Sequence, residues 1–141
     1  MSKAEIVFDK FHVLQHASAA LDEVRRQEFF RAGAVMRPYG RGKRWLLLRR
    51  WKTIRGSKRD ELQQLFAVNR RLFKAYVLRE QLDRLWTYKT RDGVARFLFG
   101  WLKALRRQRL PEMEKLGDTL VNHFDRIAAY CDHPVRFGVV E

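Results

Sequence analysis

The feature that most constrains this chain is an apolar period of 3.6 residues that returns in segment after segment. Its clearest instance is Val94, Phe97, Leu98, Trp101, Leu102 and Leu105, which stand at i, i+3, i+4, i+7, i+8 and i+11 after Asp92-Gly93. Residues so spaced share one face of an α-helix, whereas a half-buried strand needs alternation. The stripe of Phe97, Trp101 and Leu105 therefore reads as core rather than as a cofactor box. Earlier in the chain Phe11, Leu14, Ala17, Leu21 and Val24 recur at steps of three and four, with Asp22, Arg25, Arg26 and Gln27 largely opposite. That helix is expected to fray near Gly33. A short helix carrying Leu62, Leu65 and Phe66 is expected to start near Ser57. Asn69 suits the N-cap of the next, in which Leu72, Phe73, Tyr76, Leu82, Leu85 and Trp86 are apolar. Pro111 suits the first turn of a last helix. Its stripe is Met113, Leu116, Leu120, Phe124 and Ile127, and Cys131-Asp132-His133-Pro134 ends it. The fold class expected from these stripes is mainly α.

Three stretches break the period. Ile6-Val7-Phe8 is a short β-branched, apolar run that reads as a buried strand closed by Asp9. The final Val135-Arg136-Phe137-Gly138-Val139-Val140-Glu141 is unlike a helix end in solution. Between them, Pro38, Gly40 and Gly42 interrupt the helical pattern. They lead into Arg44-Trp45-Leu46-Leu47-Leu48-Arg49-Arg50-Trp51, for which a strand and a single helical turn both stay open. No internal repeat or low-complexity segment is present.

Composition then narrows the partners. With 30 Lys and Arg against 16 Asp and Glu, the formal charge is +14 and the pI about 10.7. The 141 residues fit one domain, or one domain plus a fragment of another, and 46% hydrophobic residues can build a core. A single Cys excludes a disulfide scaffold and a cysteine-based zinc module. The start has no signal-peptide core, because Lys3, Glu5, Asp9 and Lys10 interrupt it, and no run is long enough for a membrane helix. The expectation is a soluble, cytoplasmic protein with no membrane partner that attracts a polyanion, nucleic acid first among them.

The charge is concentrated. Residues 37–59 hold Arg37, Arg41, Lys43, Arg44, Arg49, Arg50, Lys52, Arg55, Lys58 and Arg59, ten basic residues with no acidic one. These ten are the candidate DNA-binding residues, since Arg and Lys neutralise phosphates. Tyr39, Trp45 and Trp51 are interleaved. Aromatics in such a setting can stack on bases, but the tryptophans are expected in the core. Lys103, Arg106, Arg107 and Arg109 form a smaller basic set at a helix end, where cations are favoured in any case.

Asp9 admits two readings. It can cap a helix beginning at Lys10, or it can belong to a site. His12 lies three residues on, on the same face, where the pair would share a metal ion or a hydrogen bond. His16 and His123 read as surface or satisfied positions. Cys131 and His133 have no partners for a zinc site.

Several segments together resemble a known family. Ile6-Val7-Phe8-Asp9-Lys10-Phe11-His12-Val13 is similar to the strand and helix around the second catalytic aspartate of bacterial insertion-sequence transposases of the ISL-three group. Ala20-Leu21-Asp22-Glu23-Val24-Arg25-Arg26, Trp45-Leu46-Leu47-Leu48-Arg49, Ala75-Tyr76-Val77-Leu78-Arg79-Glu80 and Leu85-Trp86 are similar to further stretches of that family, in its order. Phe137-Gly138-Val139-Val140-Glu141 resembles the lead-in to its catalytic glutamate.

The resemblance implies a DDE transposase whose ribonuclease-H-like core is interrupted by an all-helical insertion, with a short strand near the N-terminus. Residues 1–12 and 135–141 would be parts of the catalytic core, and 13–134 the insertion. Asp9 and Glu141 would be catalytic residues and ligands of Mg²⁺, the implied cofactor. Such enzymes cut and join DNA with two metal ions about 4 Å apart. The first catalytic aspartate has no counterpart in these 141 residues. The resemblance thus implies a truncated form, inactive alone, with DNA and a full-length transposase subunit as partners. Two rival readings share the same basic surface: a non-catalytic DNA-binding module, and a truncated partner that inhibits a full-length transposase.

Overall fold

The computed structural model describes residues 3–132, with side chains from Lys10 onward. In chain order the helices are α1 (Lys3–Gly40), α2 (Arg44–Leu48), α3 (Ser57–Val68), α4 (Arg70–Leu82), α5 (Arg91–Gln108), α6 (Pro111–Asn122) and α7 (Phe124–Asp132). Single 3₁₀ turns fill Trp51–Thr53 and Asp83–Thr87. Among the described residues there is no strand, and no helix is long and apolar enough to cross a membrane.

The mainly α expectation holds, but the strand over residues 6–8 does not, because α1 runs through them. A three-residue β-branched run has little preference of its own. It becomes a strand only against a neighbour that supplies ladder hydrogen bonds, and none stands among the described residues. Extending an existing helix adds one hydrogen bond per residue without a new nucleus. Asp9 therefore lies inside α1 and is not its N-cap. The expected domain boundary after residue 12 likewise falls within α1 and is marked by no break.

Helix α1 is the spine, packing against α2, α3, α4, α6 and α7. Its inward stripe is Val13, Ala17, Ala20, Leu21 and Val24, each under a tenth exposed. The expected stripe was right from Ala17 onward. Before that, Val13 is buried, Leu14 is half-buried and Phe11 is exposed. Periodicity defines a broad apolar arc, and the position of α6 and α7 decides which edge of it is covered.

The expected fraying near Gly33 is a sharp break instead. Ala32 has non-helical dihedrals (φ −128°, ψ 35°), after which the helix resumes to Gly40 despite Pro38. The break turns the chain back on itself, so that Gly40 meets the ring of Phe29, and a methyl group at position 40 would overlap it. The reversal also carries Arg44 to Asp22, 3.4 Å away. Of the alternatives open for Trp45–Leu48, the helical turn is the observed one.

Helix starts follow local chemistry. The Asn69 side chain accepts the backbone N–H of Leu72 at 2.9 Å, as an N-cap does. Thr90 caps α5 by accepting from the N–H of Gly93, so α5 begins at Arg91 and takes Asp92-Gly93 into its first turn. Pro111 opens α6. The last stripe belongs to two helices, since α6 ends before His123 and α7 begins after it. Trp101 is 4% exposed and donates from Nε1 to the carbonyl of Leu78 at 2.8 Å, fastening α5 to α4. Leu105 is buried and Phe97 packs against the core, as expected.

One core position is charged. Glu28 continues the inward stripe of α1 and is only 4% exposed. Its carboxylate accepts from Asn69 Nδ2 at 3.1 Å and from Arg71 Nε at 3.1 Å, and pairs with Arg31 at 3.1 Å. Arg71 also donates to the carbonyl of Arg109, which ends α5 in a left-handed conformation (φ 51°), and reaches Glu112 on α6. A single ionic node thus joins α1, α4, α5 and α6.

Candidate nucleic-acid interface

The acid-free segment from Arg37 to Arg59 covers the end of α1, α2, the first 3₁₀ turn and the start of α3. Its ten cations fall into two sets. Lys43 pairs with Glu61 (3.2 Å), Arg44 with Asp22 (3.4 Å), Lys58 with Glu61 (3.4 Å), and Arg50 with Asp83. Arg59 donates to the carbonyls of Ile54 (2.6 Å) and Trp51 (3.1 Å), and Arg49 to that of Thr53 (2.6 Å). These six side chains help to hold the segment in place. Two backbone contacts to α4 do the same: the Trp51 N–H on Glu80 and the Tyr76 hydroxyl on the carbonyl of Arg49.

Arg37, Arg41, Lys52 and Arg55 are different. All four are exposed, and none has a carboxylate within ion-pair distance among the described residues. An exposed, uncompensated cation on an anchored backbone keeps its full field for an external anion. The smaller set of Lys103, Arg106, Arg107 and Arg109 is also exposed, on the outer face of α5 and just past its end.

The expectation that the tryptophans are core is corrected for Trp45, which is 70% exposed with the guanidinium of Arg44 over its ring. Its neighbours Leu46 and Leu47 take the buried positions of a helix only five residues long, which leaves Trp45 on the solvent side. Trp51 is half-buried under Arg59, with the guanidinium 4.5 Å from the ring centre. Tyr39 is 39% exposed.

Neither Glu141 nor the side chain of Asp9 lies within the described part of the structure. Carboxylate oxygen is the donor type that Mg²⁺ takes, so the two residues suit that ion in kind. Among the described residues, no group of three or more His, Cys, Asp and Glu is arranged to hold a metal ion. Cys131 is buried and donates to the carbonyl of Leu85, and burial pushes its thiol pKa up to about 11. That makes it an unreactive core thiol; His133 lies outside the described residues.

Folding does join three histidines that the sequence reading took separately. His12 and His16 present their Nε2 atoms 3.0 Å apart, and the ring of His123 lies 6.2 Å from that of His12. The spacing of four between His12 and His16 was the available signal for the first pair; nothing local pointed to His123.

This arrangement defines a basic helical domain with an anchored cation-rich segment. All 141 residues match the transposase family of the ISL-three (ISL3) group of DDE enzymes, and the chain belongs to that family. Among its relatives, the transposase for insertion sequence element IS1001 of Bordetella parapertussis is 29% identical over 142 residues, covering 99% of this chain and 35% of that protein. The transposase for IS1557 of Mycobacterium tuberculosis is 26% identical over 156 residues, covering 94% of this chain and 35% of that protein. The chain thus spans 35% of the length of the curated relatives it matches. No solved structure matches it.

Proposed function

We propose that this chain is the helical, DNA-facing part of an insertion-sequence transposase, inserted between the second and third acidic residues of a ribonuclease-H-like core. In this reading Asp9 and Glu141 are the two acidic residues, residues 13–134 form the insertion, and Mg²⁺ is the cofactor of the whole enzyme. The observation that carries it is the set of exposed, uncompensated cations on the anchored segment, Arg37, Arg41, Lys52 and Arg55, in the same stretch as the exposed Trp45. Family membership makes DNA the polyanion of choice.

The first test is direct binding. The 141-residue chain is expected to bind duplex DNA with little sequence preference. Its affinity should fall steeply as salt rises, because each neutralised phosphate adds about −0.9 to the slope of log K against log salt. Affinity that stays flat between low and physiological salt would show that phosphate contact is not the basis of binding.

The second test concerns chemistry. By resemblance the chain carries two of three catalytic carboxylates. Catalytic groups must be held within roughly 0.5 Å of productive geometry by their surroundings. The isolated chain is therefore expected to leave a terminal-repeat duplex intact with Mg²⁺ or Mn²⁺ present. Metal-dependent nicking that disappears in Asp9→Ala would overturn this, and would mean that the third carboxylate is supplied from Asp125, Asp132 or a second subunit.

A further inference from the structure

We propose that His12 and His16 chelate a borderline divalent transition-metal ion, of the Zn²⁺, Co²⁺, Ni²⁺ and Cu²⁺ class, through their two Nε2 atoms. The argument starts from helix geometry. Residues four apart lie one above the other on a helix, and a His pair at this spacing is a ready-made bidentate ligand. Here the rings already converge. Their centroids are 4.5 Å apart with planes nearly perpendicular, and the Nε2 atoms are separated by 3.0 Å. Two imidazoles on one tetrahedral Zn²⁺, with bonds of about 2.05 Å, place their nitrogens about 3.3 Å apart. Opening the pair by a few tenths of an ångström is a small side-chain rotation.

The same distance defines the ion-free state. One Nε2 must carry a hydrogen and donate it to the lone pair of the other. A metal ion takes the place of that shared hydrogen, which moves through solvent to Nδ1 of the same ring, so both rings ligate as neutral imidazoles. Burial, followed by the neighbouring charges of His12 and His123, lowers the pKa of His16 below its ordinary value and favours the neutral, ligating form of its ring. The Nδ1–H of His123 donates to the carbonyl of Thr119 at 2.8 Å, which stabilises that ring in place beside the pair.

Access is provided. His16 lines an open cleft of about 680 Å³ between α1 and α6, whose walls also carry Glu23, Glu112 and Lys115. An ion held by His12 and His16 would complete its shell with water from this cleft. Imidazole nitrogen selects zinc-like ions, whereas Mg²⁺ takes oxygen ligands, so the ion class differs from the one the carboxylates suit.

The test uses the chain without a histidine tag. Calorimetric titration with Zn²⁺ should show one saturable site per chain, and Mg²⁺ in excess should not compete. Loss of an outer-shell partner alone costs a metal site 10–100-fold in affinity. His12→Asn and His16→Asn, each of which removes a ligand, should therefore lower affinity at least about tenfold, while His123→Gln should stay close to the parent. A second measurement needs no substitution: in the parent chain, paramagnetic Co²⁺ should shift or broaden the imidazole proton signals of His12 and His16 before any others. Absence of saturable binding would overturn the proposal. So would parent-like affinity in both single variants, or a first Co²⁺ effect on other residues.

Discussion

Reversing Arg37, Arg41, Lys52 and Arg55 to Glu together should lower affinity for duplex DNA on the order of 10³-fold at low salt and reduce the salt slope by about 3.6. The choice of residues comes from the structure. Each of these four side chains is exposed and holds no ion pair among the described residues, so its removal takes nothing from the fold. Surface changes of this kind usually alter stability within about 0.5 kcal/mol. Reversal of Lys43 or Arg50 is a different experiment. It would set like charges against Glu61 or Asp83 and loosen the segment that carries the others. Electrophoretic or fluorescence titration at several salt concentrations checks both quantities, and far-UV circular dichroism checks the fold. Unchanged affinity in the fourfold variant would move the DNA-contacting surface elsewhere, with Lys103, Arg106, Arg107 and Arg109 as the next set to reverse. Trp45→Ala should weaken binding to single strands more than to duplex if the exposed ring stacks on bases.

Glu28→Ala should destabilise the chain by about 3–5 kcal/mol. For a chain of this size that is a fall in melting temperature of roughly 10–15 °C. Glu28 is 4% exposed and holds Asn69, Arg71 and Arg31 at 3.1 Å each. Truncation removes more than one ion pair. It leaves the Arg71 guanidinium without its buried partner, and it frees the amide of Asn69, whose other end caps α4. Removing one member of a buried pair costs more than the pair itself contributes, because the remaining charge stays desolvated. Glu28→Gln retains an acceptor and the side-chain volume, so it should lose less than the alanine variant. Thermal and urea melts followed by circular dichroism decide this. A loss below about 1 kcal/mol for the alanine variant would mean that Arg71 finds sufficient compensation in Glu112 and the carbonyl of Arg109.

The proposed catalytic pair was legible in one way only. Asp9 and Glu141 are 132 positions apart in the sequence, and no local pattern joins them. The proposal that they pair comes entirely from similarity to a family; the match over all 141 residues shows membership of that family. The helices are legible for a different reason. Stripes, caps and first turns are interactions between residues three or four apart, so Asn69 as the cap of α4, Pro111 at the start of α6 and the stripe through Trp101 could all be read directly from the chain.

What the sequence by itself determined is therefore the mainly helical class, the starts of α3, α4 and α6, and the existence of one acid-free basic segment. Only the tertiary structure decided that Lys43, Arg44 and Arg50 are already engaged, because their partners Glu61, Asp22 and Asp83 lie outside the segment and arrive by chain reversal and packing. It also decided that Trp45 faces solvent while Glu28 is buried, against the ordinary preference of both residue types. The same holds for residues 6–8, which are helical with no strand beside them among the described residues, and for His123, brought to the His12–His16 pair from more than a hundred positions away. The physical reason is common to all of them. Short-range interactions are encoded in spacing, whereas burial and charge pairing depend on which distant segment arrives at a surface.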